Sequence, residues 1–196
     1  MPTAKEITTF DDTVPTTSIW VTEAPPAEVI VIAEHDPGWL SLFERLADDL
    51  RRALGTKALS LEHVGSTSVP DLAAKPIIDI DLTVAEPRDE DAYVLALAPL
   101  GYRHTVREPT WYEHRMLQLD EPRVHLHVWG PGCPEAVRHR LFRDWLSAHP
   151  DDRRAYEAAK RAAVPGGGDM MAYNRRKEPV LREIYARIFA AAGLTP

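Results

Sequence analysis

This sequence predicts an α+β fold: a mixed β-sheet covered by helices, followed by a helical C-terminal part. Three observations carry the prediction. Five short runs between residues 58 and 129 alternate apolar with polar residues or are rich in β-branched ones, which is the strand pattern. Over residues 40–54 and 181–189 apolar residues recur instead at three and four, one stripe of a helix. Beyond Trp129 every periodic segment is helical in pattern.

The elements follow in order. Met1 to Glu28 is rich in Thr, Pro and acids, with Ile7, Phe10, Ile19 and Trp20 as its few anchors, so residues 1–27 are expected to form a flexible arm ahead of a single domain, 28–196. Glu28 to His35 is a β-branched run. Asp36 and Pro37 then offer an N-cap and a proline at the first helical position. The helix runs to about Leu54 with Leu40, Phe43, Leu46, Leu50 and Leu54 as its buried stripe, Trp39 reads as core, and Gly55 closes it.

Ala58 to His63 reads as a strand, Val69 to Lys75 as a short helical turn, and Pro76 to Val84 as a second strand. Pro87 to Glu90 is an acidic first turn, favourable at the positive end of a helix, and that helix is expected to reach about Pro99 before Gly101. Tyr102–Val106, Tyr112–Leu119 and Arg123–Trp129 are three further strands, giving a sheet of about five or six with helices over one face. Pro134 to His149 is a helix with Val137, Leu141 and Trp145 on one face and Arg138, Arg140 and Arg143 on its more polar sides. Pro150, Asp151 and Asp152 cap the next, where Tyr156 and Lys160 share a side at four-residue spacing. Pro165 to Gly168 is a flexible joint that lacks dinucleotide-loop spacing, and Leu181, Ile184, Tyr185, Ile188 and Phe189 mark a clean final helix.

The chemistry concentrates between His63 and Val84. Asp79 and Asp81 lie two apart in a strand, so both leave the same face. Carboxylates so close call for a divalent metal or a shared proton unless water covers them, and hard oxygen ligands suit Mg2+ or Mn2+. Upstream, Gly65, Ser66, Thr67 and Ser68 can turn tightly and present N–H groups and hydroxyls to a phosphate within reach of Lys75. The same two-residue logic puts His125 and His127 on one face of their strand. A solvated strand end, an ordinary turn and an exposed histidine ladder are the bland alternatives.

Taken together, H-x-G-S-T-S-V-P from His63 to Pro70 and A-A-K-P-I-I-D-I from Ala73 to Ile80 resemble the GrpB family of bacterial proteins, which also occurs fused behind dephospho-CoA kinase. Asp36 to Trp39, Phe142-Arg143-Asp144-x-Leu146, and Asp169, Tyr173 and Lys177 at four-residue spacing extend the likeness. Through Gly65, Ser66, Asp79 and Asp81 it reaches the nucleotidyltransferase superfamily of DNA polymerase beta. The resemblance implies a nucleotidyltransferase-like sheet, Mg2+ (or Mn2+ or Zn2+) on Asp79, Asp81 and His127, and His127 or His125 in place of a third acid, as ligand or base. It implies a nucleotide gripped by Gly65, Ser66, Thr67, Ser68, Lys75, Arg143 and Lys177, and transfer to an unidentified acceptor. Asp71 departs from the family, which usually has glycine there. Two alternatives stay open: a non-catalytic nucleotide- or coenzyme-A-binding module, and a metal-dependent hydrolase using His63, His125 and His127.

Composition narrows the rest. A formal net charge of -7 argues against wholesale wrapping of nucleic acid, whose binding depends on neutralising phosphates. Cys133 is the single cysteine, so no intramolecular disulfide and no cysteine-rich zinc site can form. With neither a signal peptide nor a membrane-length apolar run, a cytoplasmic protein with no membrane contact is expected. The resemblance, rather than composition, implies its expected partners, a nucleotide and a small-molecule acceptor.

Overall fold

The computed structural model describes residues 1–11, 17–24, 29–164 and 170–194, the side chains of 170 and 171 excepted. The glycine run at 166–168 and Asp169, read above as a joint and as the start of a helix face, lie outside the described residues. Among those described, the strands are β1 (Ser60–Val64), β2 (Ile78–Thr83), β3 (Arg103–Glu108), β4 (His114–Leu119) and β5 (Val124–Trp129). They form one sheet in the order β1-β2-β5-β4-β3, with β2 and β5 parallel and the other neighbours antiparallel. A parallel pair needs a long crossover, and the β3–β4 hairpin sits inside it.

Alternation splits this sheet into two chemically opposite faces. Ile78, Ile80 and Leu82 of β2 and Val124, Leu126 and Val128 of β5 are buried in the main core against α2 (Gly38–Leu54) and α3 (Val94–Leu97). Asp79, Asp81, His125 and His127 necessarily point the other way, and the parallel register sets Asp79 beside His125 and Asp81 beside His127. Each wholly buried Leu, Ile or Val contributes about 1.5–3 kcal/mol. A one-residue slip would bury the charges instead, so the apolar face fixes the register of the polar one.

Three local expectations are corrected, and the β-branched run before α2 is settled. Leu40 is 59% exposed while Trp39 is buried, because Trp39 and Phe43 at spacing four continue the stripe as well as Leu40 does and bring the larger ring. Residues 29–35 form no strand; one bridge joins Ala33 to Ala74, and Val29 and Val31 find no partner strand and stay exposed. Residues 69–75 form no helical turn, since Asp71 takes φ 60°, a left-handed conformation that breaks a helix and that glycine adopts most readily. Its carboxylate faces water, 3.6 Å from Arg153. The helix expected after Pro87 is broken into a 3-10 turn at Glu90–Ala92, α3, and another at Ala98–Leu100. Tertiary ties override propensity there: Tyr93 donates to the Pro87 carbonyl at 2.6 Å, and Glu90 accepts from Arg107 and Arg115.

A second core joins α1 (Ala4–Thr8), α4 (Pro134–Ala148), α5 (Pro150–Ala163) and α6 (Met170–Ala191) through Ile7, Leu146, Tyr156, Ile184, Tyr185 and Ile188. The start of the chain, read above as a loose arm, is thus a short helix with Ile7 buried and Thr3 and Glu6 forming a capping box. Arg138, read as polar-sided, is wholly buried. Its guanidinium donates to the carbonyls of Glu6, Ile7 and Thr9 and pairs with Glu135, enough partners to satisfy a charge removed from water. Among the described residues no helix is long and apolar enough to cross a membrane.

Candidate metal and anion site

A cavity of about 570 Å³ opens between the polar sheet face and the helices α4 to α6. One corner of it is the loop after β1. Gly65 stands at φ 70°, and a Cβ built there would lie 2.2 Å from Asp79 Oδ2 and 2.9 Å from Asp79 Cβ, so glycine is what allows loop and strand to meet. Ser66 and Thr67 line the cavity. The Thr67 hydroxyl already donates to the Ile77 carbonyl at 3.0 Å, and Ser68 turns back to the Gly65 carbonyl at 2.6 Å, so both hydroxyls brace the loop.

With its one proton given to Ile77, Thr67 Oγ1 must accept from His63 Nε2, 3.1 Å away. His63 is accordingly neutral: burial drives its pKa down to about 4, against the pull of Asp79. It stacks on Phe43 at 4.7 Å and belongs to the loop's support; it is not one of the residues whose ligand atoms cluster at Asp79.

Asp79, His125 and His127 come together. Each offers one ligand atom, and those atoms all lie within 4.8 Å of one another; Asp79 Oδ1 is 3.3 Å from His125 Nδ1 and 3.9 Å from His127 Nε2. Burial opposes ionisation of Asp79, but the hydrogen bonds and charge of His125 and His127 outweigh it and hold the carboxyl well below its usual range. One carboxylate and two imidazoles at this spacing fit a divalent transition ion better than the all-oxygen set Mg2+ favours.

Asp81 is engaged elsewhere. Its side chain is 2% exposed and takes the Trp129 indole N–H at 2.9 Å and His139 Nδ1 at 2.9 Å. Burial lowers the His139 pKa, yet the adjoining Asp81 charge prevails and raises it to about 9. The two aspartates share a face, as their spacing requires, but they serve different partners.

Behind His127 runs a second line of groups. His127 Nδ1 lies 3.0 Å from His114 Nε2, and His114 Nδ1 lies 2.7 Å from Glu108 Oε2. His114 is buried and stacked on Trp129, and burial drives its pKa well down, so it is a neutral imidazole. When Glu108 is ionised, His114 donates to it and accepts from His127 Nδ1–H, so His127 meets Asp79 and the donor cluster through Nε2, as a donor to the carboxylate when that nitrogen carries a proton and as a lone pair for a metal when it does not.

The cavity's other end is cationic. Lys75, Lys160 and Lys177 line it among Tyr156 and Tyr173, with Lys75 and Lys177 over the Tyr173 ring at 5.2 and 5.3 Å. Lys177 donates to the Tyr156 hydroxyl at 3.3 Å, and the buried Lys160 donates to the Ala73 carbonyl. Burial and the neighbouring Lys177 charge bring the Lys160 pKa down to about 7. Arg143 does not line this cavity: it pairs with Glu62 at 2.9 Å and Asp144 at 2.8 Å and donates to the His63 carbonyl.

The family model described as GrpB protein matches residues 29–187. The chain belongs to the GrpB family. Within the family's matched span lie the loop, the D-x-D strand, the H-x-H strand and all three lysines. A UPF0157 protein of Halalkalibacterium halodurans is 45% identical over 159 residues, 81% of this chain and 82% of that protein. A protein named dephospho-CoA kinase in Mycolicibacterium paratuberculosis is 34% identical over 187 residues, where the match takes in 82% of this chain but 46% of the kinase. The crystal structure of the conserved protein GrpB from Enterococcus faecalis superposes with a TM-score of 0.66 at 29% identity, covering 79% of this chain and 99% of that one.

His139, His114, Trp129 and Lys160 are the site groups that sequence reasoning did not assign. Lys160 left a signal in its four-residue spacing from Tyr156 on one helix side, and Trp129 in its two-residue spacing from His127 on one strand face. His114 and His139 reach the site from β4 and α4, and no local period marks such a meeting.

Proposed function

We propose that this GrpB-family chain is a metal-dependent enzyme of the nucleotidyltransferase type, which binds a nucleoside triphosphate and passes its nucleotidyl group to a small-molecule acceptor. One observation carries the reading: a single cavity is lined by Asp79 and His125, which meet His127 in one donor set, and also by Lys75, Lys160 and Lys177. A divalent ion on those donors would supply Lewis-acid stabilisation of the phosphoryl oxygens that gain charge during transfer. The lysines neutralise the polyphosphate and the departing pyrophosphate, and Ser66 with the Gly65 turn fits against phosphate oxygens. Attack by the acceptor's hydroxyl on the α-phosphorus breaks the bridging P–O bond to pyrophosphate, and its proton is assigned to His125, which meets Asp79 through Nδ1 alone, since His127 is engaged at Nδ1 by His114 and at Nε2 by the donor set. Asp81 supports the site through His139 and Trp129 rather than as a donor.

The two imidazoles favour a second reading. Histidine pairs with one carboxylate suit Zn2+ with an open position, the arrangement of a hydrolase that activates water. The kinase name on a longer relative adds a third outcome, silent binding of a nucleotide or coenzyme A.

Calorimetry of ATP, GTP, CTP, UTP and coenzyme A, with Mg2+, Mn2+ or Zn2+, in wild type and Asp79→Asn, separates these readings. The transferase requires nucleotide binding that needs metal and falls in the variant by more than the roughly 10- to 100-fold that loss of an outer-sphere metal partner costs. An α-labelled nucleotide must then pass label to an acceptor; label released only to water means hydrolysis. Binding indifferent to metal and to Asp79→Asn overturns both enzymatic readings in favour of the silent module.

A further inference from the structure

The family match begins at residue 29, yet Phe10, ahead of it, lines the cavity. The carbonyls of Glu6, Ile7 and Thr9 close α1 and accept from Arg138 Nη1 at 3.0, 2.9 and 3.1 Å, which pins the turn leading into Phe10. Phe10 packs on Tyr185 at 5.2 Å and lies 3.9 Å beneath the Arg182 guanidinium. Both Phe10 and Arg182 line the cavity. Further on, Val21 N–H donates to Thr105 O at 3.0 Å and Arg107 N–H to Ile19 O at 2.8 Å, so the same segment is also tied to the edge of β3. Arg138 also pairs with Glu135, which lies 3.6 Å from His139, so the docking of α1 connects with the group that holds Asp81.

Helix α6 runs the length of the cavity, with Tyr173 and Lys177 at the cationic end and Arg182 and Tyr185 at the aromatic end. At 1.5 Å per residue, Tyr173 and Arg182 are about 13 Å apart along the axis, enough to separate a phosphate group from a planar ring. A guanidinium is flat and stacks on π-faces from either side, whereas an ammonium does not.

We propose that the N-terminal segment supplies a specificity-determining wall of this cavity. Phe10 is the positioning residue that seats the face of the Arg182 guanidinium at the aromatic end, while Glu178 accepts from its edge at 2.8 and 3.1 Å, and Arg182 stacks the planar ring of the ligand. This rests on the nucleotide reading above, under which the ring is the base. Neither residue is needed to hold phosphate, so the pair adds affinity for the nucleoside part alone.

The test is calorimetry on the full chain with Mn2+, comparing ATP, GTP, CTP and UTP with inorganic triphosphate in wild type, Phe10→Leu and Arg182→Lys. Leucine keeps the apolar volume and lysine keeps the charge, so each variant removes flat stacking while retaining the fold. Both variants should weaken the best-bound nucleotide roughly 10- to 100-fold, the range for loss of base stacking, and leave inorganic triphosphate within about 2-fold. Equal weakening of nucleotide and triphosphate, or no weakening in either variant, overturns the ring seat and leaves the nucleotide reading standing. Wild-type protein that binds triphosphate as tightly as every nucleotide also overturns the seat, while absence of binding by all five ligands overturns both readings.

Discussion

Replacing Gly65 with alanine isolates the contact on which the site's geometry depends. Two costs arise at this position and can be separated. Positive φ costs an L-residue about 1–2 kcal/mol. The added methyl would also stand 2.2 Å from Asp79 Oδ2 and 2.9 Å from both Cβ and Cγ. Turning the carboxylate relieves only the oxygen; the Cβ contact is with a central strand whose other face is core, and overpacking of that kind costs about 1–3 kcal/mol. The sum is about 2–5 kcal/mol, less the ~0.4–1 kcal/mol by which alanine restrains the unfolded chain. Gly55 is the matched control, with φ 54° and no atom within 4 Å of a built Cβ, so Gly55→Ala carries the backbone cost alone. Urea unfolding of both variants, with Mn2+ and Zn2+ calorimetry, is the assay. Gly65→Ala should be the less stable by about 1–3 kcal/mol and should bind metal weakly, because Asp79 is pushed from its place beside His125. Equal destabilisation of the two variants together with wild-type metal affinity would refute the close-approach argument.

Two further predictions concern buried cations. The folded pKa of Lys160, about 7, lies below its ordinary 10.5, so between those values the unfolded chain holds the extra proton and Lys160 makes stability rise with pH. Urea titrations from pH 7 to 10 should therefore show wild type gaining on Lys160→Met across this window, and parallel profiles would contradict the assignment. Arg138→Met removes the partner of Glu135 and of three carbonyls; it should cost about 3–5 kcal/mol in urea unfolding, and a loss below about 1 kcal/mol would show the guanidinium to be dispensable.

Local chemistry made much of this protein legible from its sequence. The alternation in I-D-I-D-L and V-H-L-H-V sets Asp79, Asp81, His125 and His127 on faces opposite the core, because a strand's period is two whatever surrounds it. The stripes of α2 and α6 and the Gly-Ser loop were readable for the same reason: each depends on residues within a few positions of one another. Helix breaks were less so, since Tyr93 and Glu90 settle the chain after Pro87 through bonds that include distant arginines.

Only the tertiary structure divided the two aspartates. Asp79 faces the imidazoles of β5, while Asp81 is taken by Trp129 and by His139, a residue 58 positions away whose helix the sheet's polar face receives. It likewise brought His114 behind His127, seated Arg138 against the carbonyls of α1, and added Lys160 to Lys75 and Lys177. Strand and helix periods fix the direction in which a side chain leaves its own element. Which groups it then meets depends on how elements far apart in the chain pack, and no period in the sequence encodes that.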